Sequence, residues 1–139
     1  MKICFTKANK SIEDLELFDK KDFVESFFQN KILELEANGI NHKNIILDPG
    51  IGFGKNLKHN LMILNKISLF HSLGFPILIG TSRKRFINQI SGKYDTKERI
   101  GGTLSSIMYS LSQGVKIFRV HNVEEVKQGI LVFEKLLNK

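Results

Sequence analysis

The chain is poor in the features that mark several large classes of protein. A single cysteine, Cys4, rules out an internal disulfide and suits a reducing cytosol, so a cytoplasmic location is expected. Cys4 lies in a short apolar run, where a packed strand residue is a simpler reading than a nucleophile. No apolar run approaches the ~18 residues of a membrane span, and Met1-Lys2 is followed by too few apolar residues for a secretory leader, so no membrane partner is expected. No Cys/His cluster has zinc spacing, and His42, His59 and His71 read most simply as surface or helix residues; His59-Asn60 stand out for lying near a glycine-rich loop, with a helix entry the favoured reading. Ser82 lacks the G-x-S-x-G elbow of a hydrolase nucleophile. The charge has no stripe and no aromatic interleaving. There are 21 Lys and Arg against 14 Asp and Glu, net +7, but the lysines are scattered. A pI near 9.6 then suits steering of a small anion, or ordinary surface lysine, and no nucleic-acid partner is expected.

What the chain does have is the run Ile45-Ile46-Leu47-Asp48-Pro49-Gly50-Ile51-Gly52-Phe53-Gly54-Lys55. Three consecutive large apolar residues read as a strand buried on both faces, ending on a carboxylate, a proline and three alternate glycines. A carboxylate at the C-terminal end of such a strand faces the mouth of an α/β sheet or barrel. Two glycine motifs are excluded. The phosphate loop needs glycine where Pro49 stands and a hydroxyl where Asn56 stands, and the dinucleotide fingerprint needs glycine where Lys55 stands. A glycine-rich βα loop without chemistry is the plain alternative.

The 139 residues suit one domain, residues 1–139. Strands are expected to begin near Lys2, Asn44, Pro76 and Lys116, the first running to Thr6, the third to Gly80 and the last to Val120. Helical periodicity fills the intervals. It covers Ser11 to Asn38 and Asn56 to Leu73, the latter with Leu57, Leu61, Leu64 and Ile67 on one face. A further helix ends at Gln113, opened by an Asp95/Glu98 capping box and containing Gly101-Gly102, where close contact with a neighbour is expected. Asn122, with Glu125, caps a last helix whose apolar face is Val123, Val126, Ile130, Phe133 and Leu137. The pattern is α/β: four βα units with parallel strands, compatible with an open doubly wound sheet or with half of a TIM (β/α)8 barrel.

Parallel βα units put all C-terminal strand ends on one face. Those ends carry Asp48, then Gly80-Thr81-Ser82-Arg83-Lys84, then Arg119-Val120-His121. Asp48 and Lys84 suit a flat heterocycle with donor and acceptor edges. Arg119 can stack on a ring or grip phosphate, with His121 adding a donor. Ser82 reads as lying at a helix start that favours an anion, and Phe53 could supply an apolar wall. Each also has a plain alternative: Asp48 a turn-forming Asx residue, Arg83 and Lys84 solvated charges, Arg119 and His121 surface residues, Ser82 an ordinary N-cap.

The segment Asp48 to Lys55, then Gly80 to Lys84, then Arg119-Val120-His121-Asn122-Val123, with Glu98-Arg99 and Gly102-Thr103 between the last two, resembles dihydropteroate synthase over residues 40–137. The resemblance implies a (β/α)8 barrel that condenses p-aminobenzoate with 6-hydroxymethyl-7,8-dihydropterin diphosphate, releasing pyrophosphate with Mg2+ present. By position it implies that Asp48 and Lys84 bind the pterin, and that Arg119 and His121 hold the diphosphate, Arg119 also stacking. Ser82 and Phe53 would line the aminobenzoate pocket, Arg83 would shape it, and Gly80 would belong to the same substrate-binding set. The family's first four strands, with a magnesium-binding asparagine, further pterin ligands and two mobile loops, have no counterpart. The resemblance therefore covers the C-terminal half, and Ile3-Cys4-Phe5-Thr6-Lys7 replaces a Met-His-Met-like segment. Such a unit would expose barrel edges, so a homodimer or a complementing N-terminal half is expected. Two other readings stand beside it: a catalytically inactive pterin-binding scaffold, and a methyltetrahydrofolate methyltransferase-type domain, which Ser82-Arg83-Lys84 disfavours.

Overall fold

The structure, a computed structural model, describes residues 3–6 and 21–137. In chain order the elements are β1 (Ile3–Thr6), α1 (Lys21–Ala37), β2 (Ile45–Asp48), α2 (Leu57–Asn65), β3 (Leu78–Ile79), α3 (Arg85–Ser91), α4 (Ile100–Ser112), β4 (Ile117–Phe118) and α5 (Val123–Leu137). Short 3-10 turns occupy His42–Asn44, Ile67–Leu73 and Lys97–Arg99. Strands and helices follow one another along the described residues, with two helices, α3 and α4, between β3 and β4; the first part of the helix read from Ser11, and the surroundings of the Cys4 side chain, lie outside the described residues.

Strands β1 and β2 pair in parallel from Ile3↔Ile45 to Thr6↔Asp48, and β3 and β4 pair in parallel through Leu78↔Ile117 and Ile79↔Phe118. A single parallel bridge, Leu47↔Ile77, joins the two pairs, with the Leu47 N–H donating to the Pro76 carbonyl at 2.9 Å. All four strands therefore run the same way, and the residues after β2, β3 and β4 emerge on one side.

Strand β2 is buried at every position, as its unbroken apolar run requires. Around it Phe28, Leu47, Ile51, Ile63, Ile67, Phe70, Ile79, Phe86 and Val115 form one core. Helix α1 contributes Phe28, whose ring meets Phe70 edge-on at 5.6 Å. The chain leaves α4 through Gly114 and enters β4 through the fully buried Val115.

Several expectations need correcting. The helix read across Asn56 to Leu73 breaks at Lys66 into α2 and a 3-10 turn. Its buried face is Asn60, Ile63, Leu64 and Ile67, whereas Leu61 is exposed, because α2 turns its Asn60 side rather than its Leu61 side toward the β2 loop. Asp95 and Glu98 form no capping box: Asp95 accepts from the Lys97 N–H and Glu98 faces Lys93, so a 3-10 turn precedes α4. On α5 only Val126 is buried, with Val123 and Leu137 exposed. That helix meets α4 along its middle, where a Cβ on Gly129 would stand 2.9 Å from Leu104. The close approach expected at Gly101-Gly102 exists at Gly102 alone, where a Cβ would lie 2.4 Å from Ile87 Cγ2.

Candidate functional site

The strand ends build a cleft of about 470 Å³ lined by Phe53, Gly80, Ser82, Lys84, Arg119, Val120 and His121. A cleft of about 510 Å³ lies elsewhere, on the helix layer between Leu61, Phe86, Ile90 and Tyr109. It is mostly apolar, and among the described residues lining it only Tyr109 is titratable, so the chemistry favours the strand-end cleft.

Asp48 ends β2 with its side chain 1% exposed, and Arg119 Nη2 stands 3.3 Å from its Oδ2. Its Oδ1 accepts the Gly50 N–H at 2.8 Å. Asp48 is thus both the Asx turn of its loop and a buried charge at the site, and the cationic partner offsets the cost of burying it. Arg119 reaches it by lying across Gly80, where a Cβ would stand 3.0 Å from Nη2 and 3.4 Å from Cζ. Glycine at the end of β3 is what admits the guanidinium.

Lys84 holds its ammonium 3.9 Å from the centroid of the Phe53 ring, a cation–π contact. Its stem crosses Gly52, where a Cβ would lie 2.9 Å from Lys84 Cδ. Gly52 has φ +80°, so the loop needs glycine there both for its backbone and for this passage. Burial, followed by the neighbouring Arg119, holds the Lys84 pKa below the usual lysine range, with Asp48 opposing. Lys55 is pulled down further, to about 8, chiefly by burial, with Asp48 opposing and Lys84 adding to the fall. Its ammonium donates to the Gly50 carbonyl at 2.8 Å and the Phe53 carbonyl at 3.0 Å.

Ser82 does not begin a helix: α3 starts at Arg85, with Lys84 at its cap position. The Ser82 hydroxyl instead accepts the His121 N–H at 3.2 Å and stands 3.0 Å from His121 Nδ1, which ties the end of β3 to the end of β4. Arg83 is placed away from the cleft lining. Its backbone takes φ +59°, its N–H donates to Thr103 Oγ1 at 3.1 Å, and its guanidinium donates to Asn122 Oδ1 at 2.8 and 3.2 Å. Arg99, buried, donates to the Arg83 carbonyl at 2.9 Å. The unusual backbone at Arg83 is held from α4, from the turn before it and from the start of α5.

The structure therefore brings Asp48, Phe53, Gly80, Ser82, Lys84, Arg119 and His121 together and sets Arg83 behind them. Lys55, Arg99 and Thr103 stood in the quoted motifs without a role, and Asn60 was singled out only as a helix-entry residue. His59 proves buried, with Nδ1 lacking a partner, although its N–H does meet the Asn56 side chain at the helix entry. The one available signal for Asn60 was its place in the first turn after the glycine loop.

A family profile described as pterin binding enzyme matches residues 2–121. The chain belongs to the pterin-binding enzyme family. Within that family, the dihydropteroate synthase of Bacillus subtilis (strain 168) is 38% identical over 118 residues, 85% of this chain and 41% of that protein. A solved dihydropteroate synthase of Yersinia pestis superposes with a TM-score of 0.84 at 30% identity, covering 100% of this chain and 59% of that one. The Xanthomonas albilineans dihydropteroate synthase, solved in complex with 7,8-dihydropteroate, gives 0.88 at 25% identity over 99% of this chain and 51% of that one. This pterin-binding family member spans about two fifths of the length of the curated relatives it matches. Among the described residues no helix is long and apolar enough to cross a membrane.

Proposed function

We propose that this chain is the C-terminal, substrate-binding half of a dihydropteroate synthase, joining p-aminobenzoate to 6-hydroxymethyl-7,8-dihydropterin diphosphate. The observation that carries the reading is that Lys84, Arg119 and His121 line one cleft, with the buried Asp48 carboxylate paired to Arg119. Asp48, the carboxylate that Arg119 engages at the strand ends, is the acceptor offered to the pterin N–H edge. Lys84 donates to the ring's acceptor edge, and Arg119 and His121 meet the diphosphate. In the reaction the arylamine nitrogen attacks the pterin methylene carbon. The C–N bond forms, the C–O bond to the diphosphate breaks with its electron pair, and the amine proton is released. Cations placed where negative charge develops stabilise the leaving pyrophosphate, and the amine needs positioning more than a strong base.

Magnesium, implied by the resemblance, does not fit the residues present. Among the described residues no three His, Cys, Asp or Glu side chains gather, and Asp48 is engaged by Arg119 and Gly50. In this reading the ion belongs to the part of the relatives that the chain does not span. The parallel strands, in chain order and joined at one bridge, support half of a (β/α)8 barrel, completed by an N-terminal half or by a second copy of the chain. A cytoplasmic location belongs to the same proposal, supported by the lone cysteine.

The two-fifths coverage favours one second reading, a pterin-binding fragment without turnover. Calorimetric titration with the dihydropterin diphosphate and with p-aminobenzoate, followed by a dihydropteroate assay with and without the N-terminal half of a relative, separates the two. The synthase reading expects binding by the chain and product on complementation. Binding without product in a folded assembly supports the second reading, and a folded chain that ignores the pterin refutes both.

A further inference from the structure

The loop between β2 and α2 carries three glycines with left-handed backbones: Gly50, Gly52 and Gly54, at φ +68°, +80° and +59°. Such a loop is loose unless something outside its own backbone fixes it. Asn60 does so. It is 3% exposed, and its Oδ1 accepts the Gly52 N–H at 2.7 Å. Its Nδ2 donates to the Asn56 carbonyl at 2.8 Å and the Lys55 carbonyl at 3.3 Å. Lys55 closes the same loop from within, through the Gly50 and Phe53 carbonyls.

Gly52 is consequently held on two sides, its amide by Asn60 and its α-carbon by the stem of Lys84. Phe53 follows directly, and among the described residues it is the one phenyl ring lining the cleft. Of the groups offered for the pterin, Asp48 and Arg119 lie outside the 51–55 segment, and Lys84 meets it through its stem at Gly52 and its ammonium at Phe53. A change in the tie at Gly52 therefore moves the aromatic wall first, and reaches the pterin contacts only through Lys84. We propose that Asn60 and Lys55 are positioning residues that fix Phe53 against Lys84 and thereby set affinity for the aromatic carboxylate co-substrate rather than for the pterin. The proposal rests on the synthase reading, in which the resemblance implies that Phe53 lines the arylamine side of the cleft.

The test uses the full chain and its variants Asn60→Ala, Asn60→Asp and Lys55→Met, with p-aminobenzoate and the dihydropterin diphosphate titrated separately and amide hydrogen exchange followed over residues 50–56. Asn60→Ala is expected to weaken p-aminobenzoate roughly tenfold and the pterin less than about threefold, and to speed exchange at the Gly52 amide at least about tenfold. Asn60→Asp keeps the acceptor for Gly52 and loses both donors, so it falls between wild type and Asn60→Ala. It decides the matter by the same criteria should Asn60→Ala fail to fold. Lys55→Met is expected to shift the aromatic affinity in the same direction. Unchanged p-aminobenzoate affinity in a variant whose loop exchanges faster overturns the proposal, as does equal weakening of both ligands. A wild-type chain that binds neither ligand refutes the functional reading and this inference with it, whereas a binding wild type with insensitive variants refutes the inference alone.

Discussion

Gly80→Ala isolates the geometry of the site from the stability of the fold. The added methyl would stand 3.0 Å from Arg119 Nη2, 3.3 Å from Nε and 3.4 Å from Cζ, so it presses on the whole guanidinium plane. Gly80 does not have a left-handed backbone, so alanine brings no conformational strain there. Arg119 is the group that yields, because half its side chain faces solvent. Moving it by several tenths of an ångström lengthens a 3.3 Å contact to Asp48 that has little to spare. Asp48 is buried and Arg119 half exposed, and the contact is lengthened rather than broken, so the unfolding free energy should fall by about 1 kcal/mol, short of the roughly 3–5 kcal/mol that loss of a buried partner costs. A charge-assisted contact to a ligand contributes about 1.5–3 kcal/mol, so the dissociation constant for the dihydropterin diphosphate should rise about 10- to 100-fold. Urea denaturation paired with calorimetric titration reads both quantities. Unchanged pterin affinity in a folded variant would refute the role given to Arg119 against Gly80. A loss of about 3 kcal/mol or more would show that the backbone, not the arginine, had moved.

Lys84→Ala should abolish pterin binding with little loss of stability, since burial already disfavours the ammonium; titration and thermal melting check both halves, and retained affinity would remove Lys84 from the site. Gly102→Ala drives a methyl to 2.4 Å from Ile87 Cγ2 and should cost about 1–3 kcal/mol by denaturant unfolding, while Gly101→Ala, with open space, should cost nothing measurable. Lys55 titrates near 8 in the folded chain against its usual 10.5, so between those values the unfolded chain holds the extra proton. Its destabilising contribution is complete below about 8 and disappears by about 10.5, so stability from this group rises with pH across the window. The denaturation midpoint of wild type should therefore climb more steeply with pH there than that of Lys55→Met, and parallel slopes would contradict the assignment.

The features legible in the sequence are those encoded by neighbours in the chain. Ile45-Ile46-Leu47 announced a doubly buried strand because each residue needs an apolar environment on its own face, and β2 is buried throughout. Asp48, Lys84, Arg119 and His121 were legible because parallel βα topology brings strand ends together whatever the helices do in detail. The contacts that escaped prediction join distant residues or bind backbone. Arg99 spends its guanidinium on the carbonyls of Arg83, Lys93 and Tyr94, and no residue type in that loop advertises a carbonyl. Arg83 read as a solvated or pocket-shaping cation, yet Asn122, 39 residues away, claims it. The Asp95/Glu98 pattern fitted a capping box, but Asp95 finds the Lys97 amide first. Leu61 matched the helical period and still faces outward, since a polar Asn60 is drawn inside by the loop it ties.

Lys84 and Lys55 crowd together with Arg119 around a single buried carboxylate, and Lys84 contributes to the fall of the Lys55 pKa. Near pH 8 Lys55 is about half charged. On the proposed reading, an anion held in the cleft by Arg119 and Lys84 offsets the repulsion that Lys84 exerts on Lys55 and so favours its ammonium. Ligand capture should then draw a proton out of the buffer, so the apparent heat of binding ought to scale with the ionisation enthalpy of whichever buffer supplies it.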